Sequence, residues 1–524
     1  MESLQRNSPG DCKVRAALAI KERNKLYYGD NLYVLDKYIK DDSVDMIYLD
    51  PPFNSKADYS VLFKEPTGEA SEAQVTAFED TWHWNQETET AFQRIVDVAT
   101  VDVVETMTAF RRFIKRNDMM AYLVMMCVRL IELRRALKYT GSIYLHCDPT
   151  ASHYLKIIMD AIFGVKNFRN EIVWHYRRWT NVQNQFQKMH DVILFYSKTE
   201  NNYFVAPEVN MSESQQKKFE RGYDSNVIPT KNGKIRQLII YDETKVKQSD
   251  IDTSRFDKIV RREKPVVAAS DVFIIPIINS QAKERLGYPT QKPMALLECI
   301  IEASSNEGDV VFDPFCGCGT TVTAAQKLNR QWIGIDITHL ATNLIKLRLA
   351  DMFELEPKRD YDVIGEPEDL AGAMELASQN RYQFQWWATS LINARPYGDK
   401  KRGKDTGIDG ILYFSDEKDK VKKAIVSVKS GKVSVRDIRD LGHVMDREKS
   451  EIGILITLTS PTRDMISEAA LKGLYRSETF FKDYPRLQIL TIDDLLNGKK
   501  PDVPSLVSPF KKAQWSDTTD NGLF

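Results

Sequence analysis

Residues 313–321 read DPFCGCGTT, and this stretch decides the fold. An apolar segment over 310–312 precedes it and predicts a strand, while the apolar spacing over 320–328 predicts a helix directly after it. Glycine in a turn between strand and helix lets a ligand approach the backbone closely, and the first turn of the helix offers unpaired N–H groups. The stretch therefore predicts a nucleotide-type binding turn in an α/β sheet. Tight turns also use glycine in folds that bind no nucleotide, so the turn alone leaves both interpretations open.

A carboxylate farther along the chain supports the nucleotide interpretation. Asp336 ends the next predicted strand and lies 19 positions after Gly317. An acidic residue about 20 positions past the glycine turn accepts hydrogen bonds from ribose hydroxyls. Val322 stands where a dinucleotide site has its third glycine. The stretch thus argues against a dinucleotide and leaves room for an adenosyl sulfonium ligand.

A second stretch, DPPF at residues 50–53, follows an apolar segment that predicts a buried strand. Open α/β sheets bind ligands at the carboxyl ends of their strands, so Asp50 is expected at such an edge. Pro51 and Pro52 remove two N–H donors, which leaves a carboxylate and carbonyl oxygens as a group of acceptors. Such acceptors suit the N–H groups of an exocyclic base amine, and Phe53 offers a flat face to a base that has left the stack. The alternative is a proline turn beside a core aromatic, and the distant glycine turn favours the catalytic interpretation.

Together the two stretches resemble the DNA amino-methyltransferases, with DPPF as the catalytic tetrapeptide and DPFCGCGTT as the cofactor turn. The tetrapeptide comes first, which is similar to the order in the family's β class, and the resemblance covers about residues 24–355. It implies an α/β fold with a Rossmann-like methyltransferase sheet that uses S-adenosyl-L-methionine. It also implies site-specific methylation of adenine N6 in DNA, within a restriction-modification or defence system.

The base assignment depends on the first residue of the tetrapeptide. Asp at this position resembles the adenine enzymes, whereas the cytosine N4 enzymes more often have Ser there. Phe53 replaces a commoner Tyr, which loses a hydroxyl and keeps the stacking face. Methylation of cytosine N4 is one alternative. A cofactor-binding DNA-binding or regulatory protein without transfer activity is the other.

The resemblance also assigns residues to the two sites. The catalytic candidates are Asp50, Pro51, Pro52 and Phe53. Asp30 is similar to the carboxylate that meets the cofactor's adenine, and Lys292, within TQKP, is similar to the element that holds its methionine end. The other cofactor-binding candidates lie in the glycine turn and at the end of the following strand: Asp313, Phe315, Gly317, Gly319, Thr320 and Asp336.

Near the carboxyl terminus, Asp409 and SVK at 427–429 resemble the core of the Mrr-like restriction endonucleases. In that pattern an Asp on one strand and (Glu or Gln)-x-Lys on the next bind a divalent cation, which implies Mg²⁺ with Asp409 as a metal ligand. Asp409 and Lys429 match, whereas Ser427 stands where Glu or Gln is expected, and Ser is a poorer ligand. An active nuclease, a nuclease-shaped domain that only holds DNA and an unrelated interaction domain remain open.

The apolar patterns divide the chain into units. They predict a loop over 54–89, one helical stretch over 106–138, and an irregular insertion over 200–285 that corresponds to a target-recognition region. The predicted units are a polar leader (1–23), a methyltransferase domain (24–355), a linker (356–380), a restriction-endonuclease-like domain (381–500) and a polar tail (501–524).

Composition limits the class of protein. Lys and Arg number 73 against 74 Asp and Glu, so a nucleic-acid surface must be local. Six cysteines without paired C-x-x-C motifs, and the absence of a long apolar run, predict a reduced cytoplasmic protein without a membrane segment. The expected partners are double-stranded DNA and either a second copy of the chain or restriction or defence subunits.

Overall fold

The computed structural model describes most of the chain. The described residues are 23–52, 58–64, 70–79, 82–178, 182–210, 213–230, 233–245, 255–262, 266–279, 282, 284–288, 290–397, 406–417 and 420–507.

The helices and strands fall into three stretches of the chain. The first contains β1 (Asn24–Tyr28), α1 (Asn31–Tyr38), β2 (Val44–Leu49), β3 (Asp58–Lys64), β4 (Ala70–Glu79), α2 (Gln86–Val98), α3 (Val101–Ile114), α4 (Asp118–Ala136), β5 (Leu137–Cys147), α5 (Ser152–Phe163), β6 (Phe168–His175) and β7 (His190–Ser197). The second contains β8 (Glu208–Asn210), α6 (Glu213–Arg221), β9 (Tyr223–Thr230), β10 (Gly233–Ile240), β11 (Lys258–Arg261), β12 (Val266–Ala268), β13 (Val272–Ile274), α7 (Met294–Ser304), β14 (Val310–Asp313), α8 (Thr320–Lys327), β15 (Gln331–Asp336), α9 (His339–Phe353) and β16 (Tyr361–Ile364). The third contains α10 (Leu370–Gln379), α11 (Arg381–Ser390), β17 (Arg395–Pro396), β18 (Gly410–Glu417), β19 (Lys420–Lys429), α12 (Val435–Arg447), β20 (Ile452–Thr457), α13 (Arg463–Ala470), β21 (Leu474–Arg476), β22 (Asp483–Pro485), β23 (Leu487–Thr491), α14 (Ile492–Leu496) and β24 (Ser505–Val507).

Nine strands form the large sheet in the order β13-β6-β7-β5-β2-β14-β15-β1-β16. Only β7 runs antiparallel to its neighbours within this sheet. Helices α1 to α5 cover one face, and α7 to α9 cover the other. From Met46 to Leu49 the residues of β2 alternate between the two apolar layers, which is why this part of the strand is a continuous apolar run. The predicted Rossmann-like α/β sheet is confirmed.

Parallel pairing brings the two diagnostic stretches to one edge of this sheet. Strands β2 and β14 are direct neighbours, with Ile47 opposite Phe312. Strand β15 pairs with β14 on its other side, and β1 pairs with β15, with Tyr28 opposite Asp336. After β14 the chain continues to β15 on one side, whereas β2 lies on the other side of β14. A crevice between neighbouring strands whose connections run to opposite sides is where open α/β sheets bind ligands.

A smaller sheet forms the carboxy-terminal domain. Its strands lie in the order β17-β18-β19-β20-β23, and β24 pairs with β18. One face packs against α10, α11 and α14, and the other packs against α12 and α13. None of the helices in the described part of the chain has the length and apolar character needed to cross a membrane.

Several predicted elements differ from the structure. The predicted loop over 54–89 contains the hairpin of β3 and β4, and it overlaps the start of α2. The helical stretch over 106–138 lies mostly in two helices, because α3 ends at Ile114, before Lys115 with its φ of 67°, and the Asn117 side chain caps α4. The insertion over 200–285 contains a three-stranded sheet, and its strand β13 joins the large sheet beside β6.

The segment 356–380, predicted as a linker, also contains regular structure. Strand β16 pairs with β1 at the edge of the large sheet. Helix α10 contributes Ala373 and Leu376 to the core of the carboxy-terminal domain. The two domains are therefore joined by a short connection between β16 and α10.

Candidate active site

A cavity of about 490 Å³ opens at the carboxyl ends of β1, β2, β14 and β15. Pockets of about 300–1,000 Å³ are typical of small-molecule sites. The cavity brings together most of the predicted site residues: Asp30, Asp50, Pro51, Pro52, Lys292, Asp313, Phe315, Gly317, Thr320 and Asp336. Gly319 is not among its lining residues, and Phe53 lies outside the described residues.

The glycine turn is held by the carboxylate at the end of β15. The Gly317 N–H donates to Asp336 Oδ2 at 2.9 Å, and Thr338 donates its N–H and hydroxyl to Asp336 Oδ1. Burial raises the pKa of Asp336 to about 6. Gly317 and Gly319 both have positive φ, which favours glycine. A side chain at Gly319 would place its Cβ only 2.7 Å from Ile345 Cγ1, so this glycine allows close packing of the turn against α9.

Asp313, predicted as a cofactor-binding residue, lines the cavity and is hydrogen-bonded to the turn that it begins. Its carboxylate accepts hydrogen bonds from the Phe315 N–H and the Thr321 hydroxyl, at 2.9 and 2.5 Å. Burial raises the pKa of Asp313 to about 7. Although Asp313 lines the cavity, its hydrogen bonds come from the turn itself and from the helix that follows it.

Asp50, the first residue of the catalytic tetrapeptide, has one oxygen engaged and one open. Its Oδ2 accepts a hydrogen bond from Lys292 Nζ. Its Oδ1 is buried, and no described residue donates to it. A buried acceptor without a donor costs free energy, so this oxygen suits a ligand N–H group. Lys292, predicted to hold the cofactor, thus contacts the Asp50 carboxylate within the same cavity.

A buried chain of polar groups lies beneath Asp50. Tyr48 O–H and His146 Nδ1 are 2.8 Å apart, and His146 Nε2 lies 3.3 Å from Asp191 Oδ2. The Tyr176 hydroxyl donates to the other oxygen of Asp191. Burial, followed by the charge of Asp50, raises the pKa of Tyr48 well above its usual value, so its hydroxyl remains neutral. Burial favours a higher pKa for Asp191, but its hydrogen bond from His146 and the charges of His146 and Lys292 lower it.

Asp30, predicted to meet the adenine of the cofactor, lines the cavity, and its interactions reach α4. Its side chain caps α1 by accepting from the Leu32 and Tyr33 N–H groups. It also accepts from Arg129 Nη2 at 2.7 Å. Arg129 is buried, and its Nε donates to Asn31 Oδ1, while Asn31 Nδ2 donates to the Pro314 carbonyl. Asn31 therefore joins the turn after β1 to the turn after β14, and Arg129 joins the turn after β1 to α4.

Sequence reasoning missed several residues of the cavity wall. Arg129 carried a signal, because it is a lone charge in an otherwise apolar part of α4. Tyr48 carried another, since side chains two apart on a strand share a face with each other and Tyr48 precedes Asp50 by two. The segment over 376–383 gave no signal. Its contribution to the wall consists of Leu376, Gln379, Asn380 and Gln383.

The two cysteines of the glycine turn are buried. Burial raises the pKa of Cys316 well above its usual value and also raises the pKa of Cys318. Thiolates are the form that binds metals, so these protonated thiols serve as packing groups in the turn.

In the carboxy-terminal domain, Asp409 is held by neighbours of the same domain. Its carboxylate accepts from the Val428 N–H at 2.7 Å, Gln385 Nε2 at 2.9 Å and the Ser427 hydroxyl at 3.4 Å. Over the described ranges, no three His, Cys, Asp or Glu side chains are grouped as a metal site would require. The geometry gives no support for the predicted Mg²⁺ at Asp409, although Asp409, Ser427 and Lys429 lie at neighbouring strands as expected.

Two family models match the chain. The model described as DNA methylase matches residues 44–346, which is more than half of the 524 residues. The model described as NACHT-associated inactive Restriction Endonuclease 1 matches residues 384–497. The second match supports a restriction-endonuclease-like domain and does not name the Mrr-like group.

Three relatives show how far the similarity extends. Type II methyltransferase M.EcaI of Enterobacter cloacae is 30% identical over 260 residues, which are 44% of this chain and 58% of that protein. Type II methyltransferase M.HpaI of Haemophilus parainfluenzae is 29% identical and covers 51% of this chain and 71% of that protein. DNA adenine methyltransferase YhdJ of Escherichia coli (strain K12) is 27% identical and covers 43% of this chain and 67% of that protein. The match to M.EcaI thus spans less than two thirds of that relative.

Proposed function

Because the chain belongs to the DNA methylase family, we propose that it transfers a methyl group from S-adenosyl-L-methionine to the N6 amino group of adenine in double-stranded DNA. The observation that carries this proposal is the open, buried Oδ1 of Asp50 in the cavity of the glycine turn. One cavity thus offers a cofactor turn and an unpaired acceptor for a base amine.

The protein groups around the cavity divide the work. Asp336, at the carboxyl end of β15, would hold the ribose of the cofactor, and the N–H groups after Gly319 lie at the start of α8. S-adenosyl-L-methionine would supply a methyl group on a positively charged sulfur. The carbon–sulfur bond would break as the new carbon–nitrogen bond forms, S-adenosyl-L-homocysteine would leave, and the methylated amine would lose one proton to water. Asp50 Oδ1 and the Pro51 carbonyl accept hydrogen bonds from the base amine, orient its nitrogen and offset the positive charge that develops on it. Lys292 fixes the position of the Asp50 carboxylate through Oδ2.

Adenine is the target that the residues favour. Asp at position 50, in place of Ser, resembles the adenine enzymes, and YhdJ is named a DNA adenine methyltransferase. Methylation of cytosine N4 is the alternative. The insertion over 200–285 is proposed as the target-recognition region, and a restriction-modification or defence system in the cytoplasm is the proposed setting.

For the carboxy-terminal domain we propose DNA contact without cleavage. Ser427 replaces the acidic or amide ligand of the Mrr-like pattern, and the Asp409 carboxylate is occupied by three protein donors. The matching family model is described as inactive. Incubation of the full chain with supercoiled and linear DNA and Mg²⁺ should leave both intact. Cutting that disappears in a Lys429→Ala variant would instead identify a working nuclease.

The central experiment is transfer of tritium from labelled S-adenosyl-L-methionine to mixed-sequence duplex DNA, followed by nucleoside digestion and chromatography. Label in N6-methyladenine is expected. Label in N4-methylcytosine would retain the reaction and correct the base. Absence of label from a protein that binds the cofactor would contradict the proposal and favour a regulatory DNA-binding role.

A further inference from the structure

One wall of the cavity comes from the carboxy-terminal domain. Gln379 ends α10, Asn380 caps α11, and Gln383 lies in the first turn of α11, and all three line the cavity. The apolar side chains of these helices, among them Leu376 and Phe384, belong to the core of the smaller sheet. The helices are thus built into one domain and present amide side chains to the cavity of the other.

Two contacts fix α11 against the methylase domain. Gln383 Oε1 accepts a hydrogen bond from the His339 N–H at 3.2 Å, and His339 begins α9 three residues after Asp336. Trp386, only 6% exposed, packs in a cluster with Tyr288, Cys318 and Leu340. Tyr288 and Cys318 themselves line the cavity. Helix α11 is therefore held at two points: Gln383 is bonded at the cavity wall, and Trp386 packs directly behind that wall.

The geometry also indicates which end of the cofactor this wall would meet. The methyl-bearing end must face Asp50, and the ribose hydroxyls would face Asp336. Ile337 follows Asp336, is 57% exposed although apolar, and lines the cavity. Gln383 is hydrogen-bonded to the His339 N–H just beyond this segment, so the purine of a bound cofactor would lie at the Gln383 end of the cavity. A side-chain amide offers a donor and an acceptor together, which is the pattern that an adenine edge recognises.

We propose that the restriction-endonuclease-like domain completes the S-adenosyl-L-methionine site, with Gln379 and Gln383 contacting the adenine of the cofactor. This proposal rests on the proposed function, because it concerns the same cavity. Helix α11 also carries Gln385, whose Nε2 donates to Asp409 at 2.9 Å. Gln385 faces this domain's own core region and is not among the lining residues of the cavity, whereas Gln383 on the same helix is.

Hydrogen exchange of the full chain, with and without S-adenosyl-L-homocysteine, tests this directly. Amides of the glycine turn over 313–321 and of the segment over 376–390 should both exchange more slowly when the ligand is bound. Slower exchange confined to 313–321 would overturn the inference and leave the proposed function intact. Unchanged exchange in both segments, together with no heat of binding, would count against the proposed cofactor itself.

A pair of matched variants tests the contact. Gln383→Ala should weaken S-adenosyl-L-homocysteine binding about tenfold by calorimetry, the loss expected for a hydrogen bond in a closed site. Gln385→Ala makes the same change two residues farther along α11, and it should leave the dissociation constant within about twofold of wild type. Equal losses in both variants, or none in Gln383→Ala, would contradict the inference. If Gln383→Ala lowers the melting temperature, Gln379→Ala, at a more exposed position, replaces it in the same binding measurement.

Discussion

At the scale of single residues, three carboxylates at one sheet edge have different environments. Asp50 keeps one oxygen open, Asp313 is occupied by its own turn, and Asp336 holds the glycine turn while facing the cavity. Sequence spacing predicted that all three would lie together. It could not distinguish their roles, because these depend on hydrogen bonds from Lys292 and Thr321, which lie far away in sequence or on another element.

Asp50→Asn tests the open acceptor with little change in shape. The amide keeps one carbonyl oxygen and loses the negative charge, so methyl transfer should fall by about 100-fold or more. Binding of S-adenosyl-L-homocysteine should stay nearly unchanged, since Asp50 is assigned to the base. Transfer rates come from tritium incorporation and affinities from calorimetry. A variant with full transfer activity would refute the assigned mechanism.

Asp336 should make cofactor binding depend on pH. Burial raises its pKa to about 6, so the carboxylate is charged at pH 7.5 and becomes protonated as the pH falls through 6. The charged form is the better acceptor for ribose hydroxyls, so affinity should decrease below pH 6 and approach a change of about tenfold per pH unit. Calorimetry from pH 5 to 8 gives the profile.

The matched variant for this profile is Asp336→Asn. It should bind more weakly at pH 7.5 and show a flat profile over the same range. Asp313, whose pKa burial raises to about 7, titrates nearby. A slope that persists in Asp336→Asn would therefore assign the pH dependence to Asp313.

At the scale of elements, the two glycines of the glycine turn differ: Gly319 is expected to matter mainly for stability and Gly317 mainly for cofactor binding. Gly319 has φ of 77° and a neighbour that blocks a side chain, Ile345, whereas Gly317 has φ of 50° and lines the cavity. Gly319→Ala should lower the free energy of unfolding by at least about 2 kcal/mol, because strain and a clash add. Gly317→Ala should lower the free energy of unfolding by about 1 kcal/mol. It should reduce the free energy of cofactor binding by more than it reduces the free energy of unfolding.

Gly308→Ala is the control for this pair. Its φ is 85°, and nothing lies within 4 Å of an added Cβ, so it reports the cost of the backbone conformation alone. Thermal unfolding of the three variants should rank Gly319→Ala as the least stable. A melting temperature of Gly319→Ala equal to that of Gly308→Ala would show that Ile345 moves aside without cost.

Elements with strong local patterns were predicted well, and those fixed by distant pairing were not. Strand β2 lies where the apolar segment before DPPF predicts a buried strand, because that apolar run ends sharply at the tetrapeptide. Strand β13 was missed, since three residues carry no local signal and its partner β6 lies about a hundred residues away. Helices α10 and α11 were assigned to a linker and a separate domain, because their contact with the cavity depends on tertiary packing alone.

At the scale of the whole molecule, the two domains share more than a covalent connection. The cluster of Tyr288, Cys318, Leu340, Leu344 and Trp386 contains residues of both. A large buried aromatic residue typically contributes several kcal/mol to the structure that it joins. The apolar cluster and the hydrogen bond from the His339 N–H to Gln383 therefore hold the two domains together.

Trp386→Ala should separate the unfolding of the two domains. In wild type, calorimetry should show one transition that S-adenosyl-L-homocysteine shifts upward as a whole, because binding to either side of a coupled pair stabilises both. In Trp386→Ala the ligand should shift only a methylase-domain transition, and the carboxy-terminal domain should unfold separately at a lower temperature. Trp387→Ala is the matched control, since Trp387 is buried in the core of the smaller sheet. Trp387→Ala should destabilise the carboxy-terminal domain from within. If the ligand shifts the unfolding of Trp386→Ala as it shifts that of wild type, the coupling between the domains lies elsewhere.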